Sequence, residues 1–248
     1  MQYECYTYYS NILQRHMTCG IYGHSGKLVF AFAAQGKKHN DYADNDMIAW
    51  LSPWIDAGWI TVVTPDSLDE ESWAAQHGDM GWRAWMQELW FRFITDELLP
   101  AIREKRNNYD MIMTTGCSMG GTHAVNMFLR RPDLVDVCIG QSCCYDSDLF
   151  FGDYMDENLY NNTPVAYMAN MPNDHYYIDM YNHRTLIISI GQGDWEWPVA
   201  PSNYKLVDIL RSKGINVWFD VWGYDSYHDW PWWRKQIVYF MEQVLGRP

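Results

Sequence analysis

Met111-Ile112-Met113-Thr114-Thr115-Gly116-Cys117-Ser118-Met119-Gly120-Gly121-Thr122 is the stretch on which the architecture turns. An apolar, β-prone run (Met111–Thr115) leads into Gly-x-Ser-x-Gly, and a helical pattern (Thr122–Leu129) follows without a linker. A serine on so sharp a strand-to-helix bend holds a strained backbone. Only glycine two residues to either side leaves room for the two segments to approach. The bend lifts the hydroxyl clear of a sheet, and the helix behind it aims its positive end at any oxyanion formed there. Ser118 therefore reads as a nucleophile, and the N–H of Met119 as one donor to an oxyanion.

On both sides of this stretch, apolar runs alternate with helical periodicities. Gly20–Tyr22, Leu28–Ala34, Ile60–Thr64, Val135–Gly140, Leu186–Ile190 and Val217–Trp222 read as strands. Asp46–Trp54, Trp82–Lys105, Asn203–Lys213 and Trp232–Leu245 read as helices, the last two stopped by Gly214 and Gly246. On Trp82–Lys105 the residues Trp82, Trp85, Leu89, Phe93 and Leu98 predict a buried stripe, with Trp90 also assigned to the core. Such alternation predicts an α/β fold with a mostly parallel central sheet and helices on both faces. The first two strands, joined by the short turn Gly23–Gly26, are expected to be antiparallel. Residues 1–248 read as a single domain. Tyr145–Asn182, rich in Asp, Asn and Tyr, reads as an irregular, lid-like or substrate-loop insert (residues 145–182) before the strand at Leu186.

A serine hydroxyl attacks only when a base takes its proton. Of eight histidines, His228 lies after the last strand, in a loop at the sheet edge that also carries Ser118. His123 falls inside the helix after Ser118 and reads as a packed residue. The base needs a carboxylate to orient it. Asp194 follows Leu186–Ile190 through Gly191-Gln192-Gly193 and is the preferred acid, with Glu196, two residues on, as its competitor. The loop Ala34-Gln35-Gly36-Lys37-Lys38 is expected to give the second oxyanion donor, from Gly36 or Lys37. Trp195 and Trp197 beside the acid and Trp230 beside the base are candidate substrate contacts, with Trp73 a weaker one.

Composition narrows the alternatives. Lys and Arg total 18 against 31 Asp and Glu, a net charge of −13. So acidic a surface repels phosphate backbones and anionic lipid, and neither nucleic acid nor a membrane is expected as partner. No apolar run approaches the ~20 residues of a bilayer span. The start, Met1–Tyr6, lacks the features of a secretory signal, so a cytoplasmic protein or a trimmed secreted one is expected. The six cysteines include no Cys-x-x-Cys pair and read as reduced, mostly buried thiols. No histidine spacing suits a metal, and no Gly-x-Gly-x-x-Gly opens a dinucleotide unit. Aromatic residues make up 17% of the chain, with 14 Trp and 18 Tyr, which suits a rich core and a cleft for flat or sugar-like ligands.

Gly116–Gly121, Gly191-Gln192-Gly193-Asp194 and His228-Asp229-Trp230-Pro231-Trp232-Trp233 together resemble the esterase family of α/β-hydrolases that includes esterase D-like enzymes, family 1 carbohydrate esterases and feruloyl esterases. The likeness runs from about Asn11 to Leu245. Asn162–Tyr167 is similar to the segment before the family's acid strand, and Gln35-Gly36 stands where the family usually has His-Gly. The resemblance implies an α/β-hydrolase fold and hydrolysis of a carboxylic ester through an acyl-serine, with no cofactor and a small-molecule ester as partner. Short-chain acyl, acetyl-sugar or feruloyl-type esters fit it, and a homo-oligomer is compatible with it. An acyltransferase using the same residues, or a catalytically silent binding protein of this fold, are the competing expectations.

Overall fold

The computed structural model describes residues 1–248. Eight strands form one sheet: β1 (Tyr3–Ser10), β2 (Arg15–Tyr22), β3 (Lys27–Phe32), β4 (Ile60–Pro65), β5 (Ile112–Cys117), β6 (Val135–Gln141), β7 (Thr185–Ile190) and β8 (Trp218–Val221). Their order across the sheet is β1-β2-β4-β3-β5-β6-β7-β8. From β4 to β8 all neighbours are parallel, and β2 alone runs against the rest. The chain steps from β3 outward to β4, then returns to place β5 on the other flank of β3. That reversal makes the carboxyl ends of β3 and β5 a topological switch point, the place where open α/β sheets as a class bind ligands.

Helices cover both faces. On one lie α1 (Asp41–Asp44), α2 (Met47–Asp56) and, at the end of the chain, α11 (Trp230–Leu245). The other carries α3 (Met80–Arg92), α4 (Leu99–Arg106), α5 (Met119–Arg130) and, after α6 (Asp148–Phe151) and α7 (Glu157–Asn161), also α8 (Pro164–Asn170), α9 (Tyr177–Asn182) and α10 (Ala200–Ser212). Side chains alternate through the sheet: Leu28, Phe30 and Phe32 enter the core under α3–α5, while Val29 and Ala31 enter the core under α2 and α11. Burial on both faces is why these strands read as unbroken apolar runs.

Four features differ from the sequence expectation. β2 and β3 do run in opposite directions, but β4 lies between them. β1 went unread because Tyr-Glu-Cys-Tyr-Thr-Tyr-Tyr-Ser alternates exposed and half-buried residues at the sheet edge and never forms an apolar run. The helix expected over Trp82–Lys105 is α3 and α4 joined by a wider i→i+5 stretch at Phe93–Leu98. Its inward stripe is also rotated. Trp90 is buried, but Trp82 and Trp85 are 53% and 40% exposed and lie against each other, ring centres 5.0 Å apart. Arg83 and Gln87 take the inward places because the interior offers them partners: Arg83 donates to the carbonyls of Ser72, Trp73 and Phe150. Periodicity of apolar residues cannot register a buried polar network. Trp73 is a core residue, packed edge-on to Phe150 and Phe151.

Residues 145–182 form the four short helices α6–α9 with irregular connections. They are tied to the body by Asn162, which hydrogen-bonds Asn126 of α5, and by Tyr181, whose hydroxyl donates to the Leu129 carbonyl. No helix is long and apolar enough to cross a membrane.

All six cysteines are free, five of them buried and only Cys5 exposed. Burial pushes the thiols of Cys19, Cys138 and Cys144 up to about 12 and those of Cys117 and Cys143 well above the ordinary range. Thiolate is the reactive form. Titration with a thiol reagent at pH 8 is expected to count one cysteine in the native protein and all six after denaturation; rapid native modification of a second thiol would contradict this burial.

Candidate active site

The turn between β5 and α5 carries Ser118 with φ 55° and ψ −127°, a left-handed conformation for a residue with a Cβ. Two glycines make it attainable. A Cβ on Gly116 would lie 2.2 Å from the Gly120 carbonyl carbon, and one on Gly120 would lie 2.1 Å from the Phe32 carbonyl oxygen. The elbow is thus wedged against its own helix on one side and the end of β3 on the other. Met119 opens α5, so its N–H falls in the first turn, where no earlier helical carbonyl can accept it.

Ser118 and His228 meet as the sequence suggests: Nε2 of His228 is 3.0 Å from Ser118 Oγ. The imidazole is held edge-on by Trp233, ring centres 4.9 Å apart, and Trp233 in turn packs on Trp230.

The carboxylate that meets His228 is not the one preferred from sequence. Asp194 is exposed, and only its main chain reaches the histidine loop, its carbonyl accepting the His228 N–H at 3.0 Å. Glu196 takes the place instead. Its carboxylate is buried, with Oε2 3.1 Å from His228 Nδ1. Oε1 accepts from the Ser142 hydroxyl at 2.7 Å and the Gly191 N–H at 3.2 Å. The Trp233 indole N–H donates to Ser142 Oγ at 3.0 Å, so the residue that packs the imidazole also steadies the carboxylate. Trp195 produces the shift. Its left-handed backbone (φ 64°) folds the chain back, leaving Asp194 outside and turning Glu196 inward. With Glu196 accepting at Nδ1, the neutral tautomer carries its proton there and presents the Nε2 lone pair to Ser118.

The two loop amides expected as second oxyanion donor are engaged elsewhere. The Gly36 N–H donates to Asp69 Oδ2 at 3.1 Å, and the Lys37 N–H closes a turn onto the Ala34 carbonyl at 3.0 Å. Across Ala34–Lys38, the amides of Gln35 and Lys38 have no protein acceptor. Sequence reasoning could not see this, because the expectation rested on position after the strand, whereas the Gly36 bond depends on Asp69, far along the chain, and the Lys37 bond on a local turn type.

Of the three tryptophans, Trp195 and Trp197 are 71% and 72% exposed on either side of buried Glu196. Trp230 is half-buried, edge-on to Tyr42, and walls a cavity of about 340 Å³ with Ala34, Lys37, Asp41 and Asn45. No group of three or more His, Cys, Asp or Glu residues is arranged to hold a metal ion.

A family model described as "Putative esterase" matches residues 60–242. The chain belongs to that family. No curated protein sequence matches it. Among solved structures, a ferulic acid esterase superposes with TM-score 0.76 at 17% identity, covering 99% of this chain and 96% of that one. A ferulic acid esterase from Anaeromyces mucronatus in complex with ferulic acid gives 0.74 at 15%, over 99% and 91%. S-formylglutathione hydrolase from Staphylococcus aureus gives 0.68 at 13%, over 98% of each chain. These likenesses establish the α/β-hydrolase fold, and family membership makes the protein an ester hydrolase acting on small-molecule esters.

The geometry separates the two acids by experiment. Glu196→Gln is expected to lower kcat by at least about 10²-fold, by analogy with the tautomer error caused by an amide at this place in a triad. Asp194→Asn, which keeps the carbonyl that His228 N–H uses, is expected to stay within about threefold of wild type. The reverse ranking would return the role to Asp194.

Proposed function

We propose that the protein hydrolyses carboxylic esters by a serine mechanism, with Ser118 as nucleophile, His228 as general base and acid, and Glu196 as the orienting carboxylate. The observation that carries this reading is the unbroken chain Ser118 Oγ, His228 Nε2, His228 Nδ1, Glu196 Oε2, with links of 3.0 and 3.1 Å. Ser118 Oγ attacks the ester carbonyl while His228 Nε2 takes its proton. The resulting imidazolium is stabilised by the Glu196 carboxylate at Nδ1. Negative charge gathers on the former carbonyl oxygen, for which we assign the Met119 N–H and an open amide of the loop Ala34–Lys38 as donors. Collapse expels the alcohol, which leaves with the proton from His228. Water, deprotonated by the same nitrogen, then frees the acid from the acyl-serine.

For the substrate we propose an ester with a flat or ring-bearing part, of the feruloyl or acetyl-sugar type. Trp195 and Trp197 support it, since two indoles held open to solvent on the segment that carries Glu196 offer faces for stacking. Trp230 adds a wall beside the histidine loop. No cofactor enters this chemistry.

The test is a panel of acetyl, butyryl, feruloyl and acetyl-sugar esters against wild type and Ser118→Ala, with fluorophosphonate labelling alongside. Wild type is expected to turn over at least one ester and to label at one serine. Ser118→Ala should lose at least ~10³-fold in rate and all labelling. Absence of both turnover and labelling in folded wild type would defeat the proposal.

A further inference from the structure

A second histidine–carboxylate pair lies behind the site, and the mechanism above does not use it. His123 of α5 and Asp69 of the turn Asp69–Glu71 are both buried, their side chains 2% and 1% exposed, with Nε2 and Oδ1 2.9 Å apart. The Gln87 amide lies 3.4 Å from the other imidazole nitrogen. With Gln87 donating there, the ring donates from Nε2 to Asp69. The second oxygen of Asp69 accepts the Gly36 N–H. One carboxylate therefore joins a residue of the nucleophile's helix, five positions after Ser118, to the loop that continues β3, whose last residues Phe32 and Ala33 lie against Gly120.

Packing alone does not call for these groups. The imidazole sits 4.7 Å from the Trp90 ring and edge-on to Phe32, ring centres 6.4 Å apart, a place an apolar ring would fill. A buried carboxylate costs free energy that well-packed apolar residues would not. What an apolar pair could not supply is an acceptor for Gly36 fixed relative to α5. The rest of the loop has its own ties: the Ser67 hydroxyl donates to the Lys37 carbonyl at 2.7 Å, and the His39 N–H donates to Asp66 at 2.9 Å. Those ties reach the β4 connection, and the Ala34 N–H donates to Asp41 of α1 at 2.8 Å; none of them reaches α5. Asp69 links the loop to the helix that carries Ser118.

We propose that His123 and Asp69 are positioning residues of the hydrolytic site: together they set the loop Ala34–Lys38 at a fixed distance from Ser118, so that its open amides face the developing oxyanion. The inference rests on the serine-esterase reading. Neither residue touches substrate; they act through the Gly36 peptide. A displacement near 1 Å at such a donor costs on the order of a hundredfold in rate.

The experiment compares Asp69→Ala, His123→Phe, His123→Gln and Asp69→Asn with wild type. Sites are counted by fluorophosphonate labelling taken to completion, and amide hydrogen exchange is followed at Gly36. Asp69→Ala and His123→Phe should lower kcat per labelled site about ten- to a hundredfold with KM within twofold. Gly36 should lose protection while the amides in the body of α5 keep theirs. Asp69→Asn, which still offers Gly36 an oxygen and whose NH2 is met once the neutral His123 ring moves its proton to Nδ1 and the Gln87 amide turns over to accept it, and His123→Gln, which still offers Asp69 a donor, should recover most of the rate. Unchanged kcat per site in Asp69→Ala, or a rise in KM that accounts for the loss, would overturn the proposal. If an alanine or phenylalanine variant fails to fold, the conservative pair decides: rates near wild type with Gly36 protected support it, and tenfold losses with Gly36 still protected refute it. If wild type itself neither hydrolyses esters nor labels, the serine-esterase reading fails first. Exchange at Gly36 then reports separately on whether Asp69 holds the loop.

Discussion

The contact between Gly116 and Gly120, and between Gly120 and the end of β3, is the constraint from which the site follows. At those separations no side chain fits, so the strand, the bend and the helix are locked into one backbone arrangement. That arrangement forces Ser118 into its left-handed conformation and projects its hydroxyl at the edge of the sheet. It also brings the end of β3, at Phe32 and Ala33, against the first turn of α5, so the loop that follows starts beside the nucleophile's helix. The sheet order then does the rest. β6, β7 and β8 follow β5 in parallel, and each delivers its trailing loop to that edge: Ser142 after β6, Glu196 after β7, His228 after β8.

What the sequence made legible was whatever depends on local pattern or on element order. Ser118 was legible because glycine spacing, a preceding strand and a following helix are all printed within a dozen residues. His228 was legible because parallel strands must release their loops on a common edge, and no other histidine follows the last strand. The identity of the acid was not legible. Asp194 and Glu196 lie on the same loop, and the choice between them is made by the backbone sign at Trp195, which an aromatic residue does not advertise.

Buried polar chemistry accounts for the other misreadings. Trp82 and Trp85 were expected inside because large apolar rings at helical spacing usually are. Arg83 and Gln87 displaced them, since the carbonyls of Ser72, Trp73 and Phe150 reward a buried guanidinium. The Gly36 and Lys37 amides were expected free, yet one is taken by Asp69 and the other by Ala34. In each case the deciding partner lies far away in sequence or in a turn type that spacing does not encode.

Across Trp195-Glu196-Trp197 the side chains point out, in and out again, so two exposed indoles and one buried carboxylate share three consecutive peptides. Any molecule that leans on either indole also loads the short segment that keeps the imidazole aligned. Under the stacking role proposed for those indoles, selectivity and turnover become mechanically linked: a change that retunes the aromatic rim for a different ester alters the rate as well.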